Sequence, residues 1–180
     1  MVDIFVEFVK ALLIIFPAYA ANGFPPLAKG KRPIDGRKNF IDGKRIFGDG
    51  KTIEGFALGM LAGTLVGALE AYLYADLNAY AMQFDVILPL ITLQIGFLIA
   101  LGTLCGDLVG SFIKRRLGLK RGADVILLDQ WNFIIGTVLF VYWFTEINVW
   151  MLIIMLAITP LIHRIANIIA HKIKVKKEPW

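Results

Sequence analysis

Cysteine and histidine are scarce in this sequence of 180 residues, which has one Cys and two His. A single cysteine excludes an intrachain disulfide, and it also excludes a metal site built from several thiolates. Charged residues are scarce as well, because Asp, Glu, Lys and Arg together make up 18% of the chain. Hydrophobic residues account for 58%, against about 45–50% in an ordinary soluble domain. These proportions indicate an integral membrane protein.

The hydrophobic residues are concentrated in long runs. The run from Val86 to Gly106 contains no charged residue, and as a helix it is long enough to cross a hydrocarbon layer of about 30 Å. Lipid offers no hydrogen-bond partner to an open backbone, so we expect every spanning segment to be helical. The sequence therefore predicts an all-α membrane protein with a single domain over residues 1–180 and about five transmembrane helices. The predicted helices cover residues 4–21, 53–75, 86–113, 128–145 and 147–170.

The first hydrophobic run has some features of a secretory signal. It lacks a basic start, however, and residues 20–23 lead directly into a long polar segment. We therefore expect this run to remain as a membrane helix, with cleavage after residues 18–20 as the alternative.

The positive charges predict the orientation in the membrane. Nearly all of the 19 Lys and Arg residues lie in residues 22–52, hereafter the first loop, in loop 114–127 and in tail 171–180. The other two connections, residues 76–85 and 145–148, contain no Lys or Arg. Because cytoplasmic segments are enriched in Lys and Arg, the three basic segments are predicted to be cytoplasmic and the N-terminus to lie outside. The net charge of +5 is explained by this bias and identifies no ligand.

Glycine recurs every fourth residue in two of the predicted helices. The stripes are Gly55, Gly59, Gly63 and Gly67, and then Gly102, Gly106 and Gly110. Such spacing puts glycines along one helix face, where two backbones can approach closely, so the stripes are expected to serve helix packing. If the two stripes pack against each other, they bring the first loop to the end of the third helix.

The end of the third predicted helix carries the first candidate site. Asp107, Ser111 and Lys114 fall on one helix face, and Arg115 follows where the helix leaves the membrane. An aspartate near the end of an otherwise uncharged span is a candidate functional residue. A carboxylate above several cations suits a magnesium–phosphate complex, because the carboxylate binds Mg²⁺ and the cations bind phosphate oxygens. The alternative is an Asp107–Lys114 pair that anchors the helix end.

The start of the fourth predicted helix carries the second candidate. Asp129 and Asn132 lie three residues apart and therefore on one face. Asp129 alone could serve as an N-cap. Together with Asp107 it could hold one or two divalent ions between two helix ends.

The third candidate is the segment "IDGKRIFGDGKTIEG" at residues 41–55, in which charged residues and glycines precede a hydrophobic run. Its glycines allow the backbone to approach an anion closely, and the following helix N-terminus favours negative charge. The segment departs from the G-x-x-x-x-G-K-[ST] phosphate loop, because position 45 is Arg rather than Gly. A solvated basic loop without a ligand is the alternative.

These residues resemble a known family. Residues 111–115, with Lys120, are similar to the first half of the CDP-diacylglycerol synthase signature. Arg121 stands where that signature has aspartate, the His-Gly-Gly stretch is absent, and residues 129–132 replace the distal Asp-Arg-hydrophobic-Asp element. These departures disfavour the bacterial branch of the family.

The archaeal branch, the CDP-archaeol synthases, is a closer match. Residues 33–36 and 42–52 resemble the first loop of these small five-span proteins, and residues 106–107 with Lys114 and Arg115 resemble their third helix end. The resemblance covers most of the chain. It implies transfer of CMP from CTP to an unsaturated ether-lipid phosphate, 2,3-bis-O-geranylgeranyl-sn-glycerol 1-phosphate, with release of pyrophosphate and a requirement for Mg²⁺.

The resemblance also implies roles for the candidate residues. Asp107, Lys114 and Arg115 are expected to be catalytic, and Asp107 and Asp129 to hold Mg²⁺. No protein nucleophile is needed, because the lipid phosphate is already ionised. The residues expected to bind CTP are Asn22, Asp35, Lys44, Arg45, Asp49, Lys51, Thr52 and Ser111, of which Asn22 and Asp35 are assigned to the base.

The expected partners are CTP, the ether-lipid phosphate and membrane lipids; nucleic acid is not expected, and a homodimer is left open. Three alternatives remain. A CDP-alcohol phosphotransferase is disfavoured because Asp35-Gly36 and Asp42-Gly43 lack the rest of its motif. A CDP-diacylglycerol synthase would act on phosphatidic acid. A small transporter or scaffold would explain the helices without catalysis, with Glu70 and Gln94 as the main polar residues deep in the spans.

Overall fold

The structure is a computed structural model that describes residues 3–175 apart from 121, 124 and 126. Arg121 and tail residues 176–180 therefore lie outside the described residues. The described chain forms five α-helices and a short 3₁₀ helix at Pro25–Ala28. The helices are α1 (Ile4–Gly23), α2 (Ile53–Met82), α3 (Leu93–Arg116), α4 (Leu128–Val141) and α5 (Val149–Lys172).

Four of the five helices are long and apolar enough to cross a membrane, which confirms the predicted all-α membrane fold. They are α1, α2, α3 and α5. Helix α4 has 14 residues and, at a rise of about 1.5 Å per residue, is roughly 21 Å long. Its length alone therefore does not make it a complete span.

Side-chain caps define where four of the helices begin. In each case an oxygen of the residue before the helix accepts a hydrogen bond from a backbone N–H of the first turn, which would otherwise lack a partner. The capping residues are Asp3, Thr52, Thr92 and Asn148. Helix α4 begins differently: its preceding residue, Leu127, has a φ of 69° and donates its N–H to Oε1 of Gln130 at 2.5 Å.

The prediction that the third helix starts at residue 86 is wrong, because residues 86–92 are not helical. Pro89 lacks an N–H and disfavours helical backbone at Leu88, and Thr92 caps the helix that follows. Side chains form hydrogen bonds with this non-helical backbone: Asn78 Oδ1 accepts from Leu88 N–H at 2.9 Å, and Thr145 Oγ1 donates to the carbonyl of Leu90 at 2.8 Å. Non-helical backbone inside a membrane protein requires such internal partners.

The other helix ends also differ from the predicted bounds. Helix α2 continues seven residues past residue 75 because residues 76–82 contain no Gly or Pro, and helix propensity does not require hydrophobicity. Helix α4 ends at Val141, and residues 142–144 form turns rather than helix. Gln94 is exposed and lies in the first turn of α3, near the end of that helix rather than at its middle.

Helix α3 is central and packs against α1, α2 and α4, while α5 packs against α1 and α4. The main core contains fully buried side chains from α1, α3, α4 and α5, among them Ile14, Ile99, Phe133 and Met155. The hydroxyls of Thr103 and Thr137 pair inside the bundle through a 2.6 Å hydrogen bond, whereas Oε2 of Glu70 on α2 is buried without a hydrogen-bond partner among the described residues. Such pairing removes the cost of burying a hydroxyl without a partner.

The two glycine stripes do not pack against each other, so the condition under which they would bring the first loop to the end of α3 is not met. In α2, a Cβ at Gly63 would meet Ala21 of α1 and Ala100 of α3, and one at Gly67 would meet the backbone of Gly96. In α3, glycines 102, 106 and 110 instead face α4, where they contact Gly136, Phe140 and Asn132.

The reason is that α3 has small residues on two faces. Ala100 and Gly102 are two positions apart, and therefore point about 200° apart around the helix axis. One face of α3 accepts α2 and the opposite face accepts α4. The first loop and the end of α3 nevertheless meet, through the contacts described next.

Candidate functional site

The carboxylate of Asp35 organises the first loop. Its side chain is fully buried, and Arg45 Nη2 donates to Oδ1 at 2.7 Å. The backbone N–H groups of Phe47 and Gly48 donate to Oδ2 at 3.0 and 2.9 Å, and that of Arg37 donates to Oδ1 at 3.0 Å. Burial alone would raise the pKa of this carboxyl, but these hydrogen bonds hold it below its ordinary value. Because its oxygens are used within the loop, the structure favours an organising role over the predicted contact with the base.

Arg45 links the centre of the first loop to its surface. Its Nη1 donates to Oδ1 of Asp49 at 2.8 Å, while the other side of the guanidinium binds Asp35. The hydrogen bonds to Asp35 and Asp49 raise the pKa of Arg45, so its charge is permanent. The Asp49 side chain is 56% exposed, which leaves this acidic group accessible at the loop surface.

The first loop is attached to the C-terminal end of α3 by hydrogen bonds in both directions. Lys44 Nζ donates to the carbonyl of Arg116 at 2.8 Å. Arg116 Nη2 in turn donates to the carbonyls of Lys44 and Arg45, at 3.2 and 2.5 Å. The loop and the helix end therefore meet as predicted, although the glycine stripes do not bring them together.

Lys51 reaches Asp107 from the end of the first loop. Its ammonium forms an ion pair with the Asp107 carboxylate, and 27% and 23% of the two side chains remain exposed. Thr52 follows Lys51 and caps α2 through its hydroxyl, which accepts from Gly55 N–H at 3.1 Å. The cap fixes the direction from which Lys51 approaches α3. It is a structural use of the hydroxyl that was predicted to bind CTP.

Lys114 pairs with Asp129 and not with Asp107, so the alternative of an Asp107–Lys114 anchor is wrong. Its Nζ lies 2.7 and 2.8 Å from the two Asp129 oxygens and donates to the carbonyl of Ala123 at 2.8 Å. Val125 N–H also donates to Asp129, at 3.2 Å. Asp129 lies in the first turn of α4 and is not its N-cap. The pair joins the end of α3 to the start of α4.

A basic cleft of about 340 Å³ lies where the first loop meets the end of α3. Three cationic side chains and one carboxylate contribute to its walls, so the cleft favours a polyanion. The lining residues are Lys44, Arg45, Gly48, Asp49, Arg115, Gly118 and Leu119. Four of them were predicted from the sequence, namely Lys44, Arg45, Asp49 and Arg115.

Five of the eight predicted CTP-binding residues lie outside this lining, namely Asn22, Asp35, Lys51, Thr52 and Ser111. Asn22 is half-buried in the last turn of α1, so the first two residues of the first loop are helical. Ser111 is buried in α3, one turn after Asp107. Their positions give neither residue a direct contact with the cleft.

The donor chemistry of the site fits Mg²⁺. Mg²⁺ is usually bound by one or two carboxylates together with substrate phosphates, and Asp107 and Asp129 are both partly exposed carboxylates that already attract a cation. Among the described residues, no group of three or more His, Cys, Asp or Glu side chains could hold a metal ion. The two carboxylates lie on α3 and at the start of α4, and each is paired with a lysine.

Sequence reasoning missed several residues of this site. Gly48 and Gly118 have φ values of 94° and 74°, conformations that a side chain would strain. Gly118 could have been found, since a glycine after the basic last turn of a helix is a common helix end. Phe40 and Arg116, which also join the loop to α3, carry no signal in a single sequence that distinguishes them from other loop and helix-end residues.

Comparison with known proteins assigns this chain to a family. The family described as CarS-like, CDP-archaeol synthase, matches residues 1–180. A CDP-archaeol synthase of Pyrococcus furiosus is 42% identical over 171 residues, covering 95% of this chain and 97% of that protein. One of Methanospirillum hungatei is 44% identical over 174 residues, covering 92% of this chain and all of that protein.

A solved structure has the same fold. It is described as an intramembrane enzyme for archaeal membrane lipids biosynthesis, is 35% identical, and has a TM-score of 0.76 over 89% of this chain and 94% of that one. The resemblance of the sequence to the CDP-archaeol synthases is thereby confirmed. The chain belongs to the CDP-archaeol synthase family of membrane enzymes.

Proposed function

We propose that this enzyme transfers CMP from CTP to an unsaturated archaeal ether-lipid phosphate, 2,3-bis-O-geranylgeranyl-sn-glycerol 1-phosphate. The products are the CDP-lipid and pyrophosphate. The observation that carries the proposal is the basic cleft between the first loop and α3, with Lys44, Arg45 and Arg115 in its walls. A triphosphate is the part of CTP that such a cleft suits best.

In the proposed reaction, an oxygen of the lipid phosphate attacks the α-phosphorus of CTP. A new P–O bond forms, the bond between the α-phosphorus and the β-bridging oxygen breaks, and pyrophosphate leaves with the electron pair. Both reactants are anionic, so the enzyme must reduce their repulsion. Lys44, Arg45 and Arg115 are positioned to bind the β- and γ-phosphates and to stabilise the charge that develops on the leaving group.

Lys51 and Asp107 are proposed to act at the side of the site nearest the membrane. Their ion pair holds the ammonium of Lys51 against the Asp107 carboxylate and thereby keeps Lys51 close to the end of α3. A bound Mg²⁺ would neutralise phosphate charge and polarise the α-phosphate. We propose that Asp107 holds this ion, with Asp129 as a second carboxylate, while Lys51 binds phosphate oxygens.

The proposed role of Lys114 is to support the site and not to serve as a primary phosphate ligand. It is already satisfied by Asp129 and by the Ala123 carbonyl, and only 13% of its side chain is exposed. Its role would be to place Asp129 beside the end of α3.

We propose five membrane crossings, with the N-terminus outside and the first loop, loop 114–127 and tail 171–180 in the cytoplasm. Basic segments on one side support this orientation. Helix α4 would complete its crossing with residues 142–145. The last of these, Thr145, donates a hydrogen bond to the carbonyl of Leu90, which precedes the start of α3. The site then faces cytosolic CTP, and the lipid chains would lie among the helices.

The test is an assay of the purified protein with CTP labelled at the α-phosphate, Mg²⁺ and the unsaturated ether-lipid phosphate. Labelled CDP-lipid and stoichiometric pyrophosphate are expected. A parallel reaction with phosphatidic acid decides between the ether lipid and a diacyl substrate. No labelled lipid from either phosphate would overturn the proposed function.

A further inference from the structure

We infer that Arg116 is a positioning residue for the triphosphate, a role that rests on the function proposed above. Arg116 holds the first loop onto the end of α3 and thereby places Lys44 and Arg45 in the cleft wall. It acts through these two cations and not by touching the nucleotide.

The guanidinium of Arg116 packs against two aromatic rings that also contact each other. It lies 5.0 Å from the ring centroid of Phe40 in the first loop and 4.6 Å from that of Phe112 on α3. The two rings also contact each other edge to face, with centroids 5.2 Å apart. A planar cation that faces aromatic rings is attracted by them, so the three side chains join the loop to the helix.

The same guanidinium forms polar contacts with the part of the loop that carries the phosphate-binding cations. Its Nη2 donates to the carbonyls of Lys44 and Arg45, and its Nε lies 3.1 Å from Oδ2 of Asp42. Lys44 Nζ donates back to the Arg116 carbonyl. Only 21% of the Arg116 side chain is exposed. Arg116 thus holds the backbone of the two residues whose side chains line the cleft.

Arg115 and Arg116 are adjacent but have separate roles. Successive residues on an α-helix point about 100° apart, so Arg115 lines the cleft while Arg116 turns toward the first loop. Lysine cannot replace Arg116, because an ammonium lacks the planar set of donors with which the guanidinium reaches the carbonyls of Lys44 and Arg45 and the carboxylate of Asp42.

The experiment compares Arg116→Lys and Arg116→Ala with the wild type and with Arg37→Lys. Arg37 is an exposed arginine in the same loop, so it controls for loss of a guanidinium there. For Arg116→Lys we expect KM for CTP to rise about tenfold or more, the size of effect given by losing a charge-assisted hydrogen bond. KM for the lipid phosphate should change less than twofold, and Arg37→Lys should match the wild type.

A second measurement reports the loop position without relying on activity. Spin labels at Lys38→Cys in the first loop and Leu117→Cys after α3, both at exposed positions, are introduced in a Cys105→Ala background. Arg116→Lys should broaden the distance distribution between the labels, and Arg37→Lys should leave it unchanged.

The outcomes separate the inference from the proposed function. A wild type that makes no CDP-lipid would overturn the function, while the label distances still test whether Arg116 holds the loop. The inference is overturned if Arg116→Lys keeps the wild-type KM for CTP and a narrow distance distribution. It is also overturned if the variant only melts at a lower temperature with an unchanged KM, because Arg116 would then serve stability alone.

Discussion

The ammonium of Lys51 at the end of the first loop forms an ion pair with the carboxylate of Asp107 in the fourth turn of α3. The two residues are 56 positions apart in the sequence. This contact links a loop from the surface to a carboxylate inside the helix bundle. It makes the two residues the first to change when testing the site.

Asp107→Asn should reduce turnover at least about a hundredfold, since it removes charge that would hold a metal ion against the reacting phosphates. The melting temperature should change little, because the amide keeps the shape and the side chain is partly exposed. Initial rates with saturating CTP and Mg²⁺ provide the measurement. Asp76→Asn, at an exposed position on α2, is the matched control. Retained turnover in Asp107→Asn would remove its metal-binding role.

Lys51→Ala should weaken CTP binding about tenfold, the typical effect of losing one charge-assisted contact. The reason is that Lys51 lies between the first loop and Asp107, where it can bind phosphate oxygens. The dissociation constant for CTP in the absence of lipid phosphate is the quantity to measure. Lys38→Ala changes an exposed lysine of the same loop and should bind CTP like the wild type. Equal affinities in the two variants would contradict the role of Lys51.

Asp35→Asn should loosen the first loop, at a cost of roughly 3 kcal/mol or more for breaking one partner of a buried ion pair. Amide hydrogen exchange should therefore accelerate at Phe47 and Gly48, whose N–H groups donate to this carboxylate. Asp76→Asn again serves as the control. Unchanged protection of these two amides would show that Asp35 does not organise the loop.

The pH dependence of this effect has a definite sign. The pKa of Asp35 is lower in the folded protein than its ordinary value, so its contribution to stability is complete above the unfolded value of about 3.9 and is lost as the pH falls toward the folded value. The difference in melting temperature between wild type and Asp35→Asn should be constant from pH 5 to pH 7 and shrink below about pH 4. A difference that grows on acidification would contradict the assignment.

Gly106→Ala should separate α3 from α4, because the added Cβ would meet the backbone of Asn132. Overpacking of this kind typically costs about 1–3 kcal/mol, so the melting temperature should fall by several degrees and turnover should fall with it. Gly23→Ala is the control, since a Cβ there meets no atom within 4 Å. Equal melting temperatures in the two variants would contradict the close α3–α4 contact.

The membrane orientation can be tested by thiol labelling in oriented vesicles. Single cysteines are placed at Lys38 in the first loop and at Asp85 in the 76–85 connection, both exposed, in a Cys105→Ala background. In right-side-out vesicles, an impermeant reagent added to the external medium should label position 85 and not position 38. Labelling of position 38 from outside would reverse the proposed topology.

The sequence alone determined the solvent in which this protein folds and the type of its secondary structure. Uninterrupted apolar runs of about 20 residues are long enough to cross a bilayer as helices, and lipid offers the backbone no hydrogen-bond partner, so the helical spans follow from the sequence pattern. The sequence also supplied the site residues with a local signal: a lone aspartate in a span, basic helix ends and the glycine-rich loop. These signals depend on residues close together in the chain.

Other features were decided by contacts between distant residues. Residues 86–92 belong to an apolar run but are not helical: Pro89 disfavours the helix locally, and the distant residues Asn78 and Thr145 bind the backbone of Leu88 and Leu90. The glycine stripe of α3 could face any neighbour, and only packing assigns it to α4.

Ion-pair partners are likewise a matter of tertiary structure. Lys114 was seven residues from Asp107 on one helix face, yet it binds Asp129, and Lys51 takes its place at Asp107. A long flexible lysine side chain pairs with a carboxylate within its reach. The distance between a lysine and a carboxylate is set by how the helices and the first loop pack. The charged groups could be identified from the sequence, but which of them form ion pairs depends on the tertiary structure.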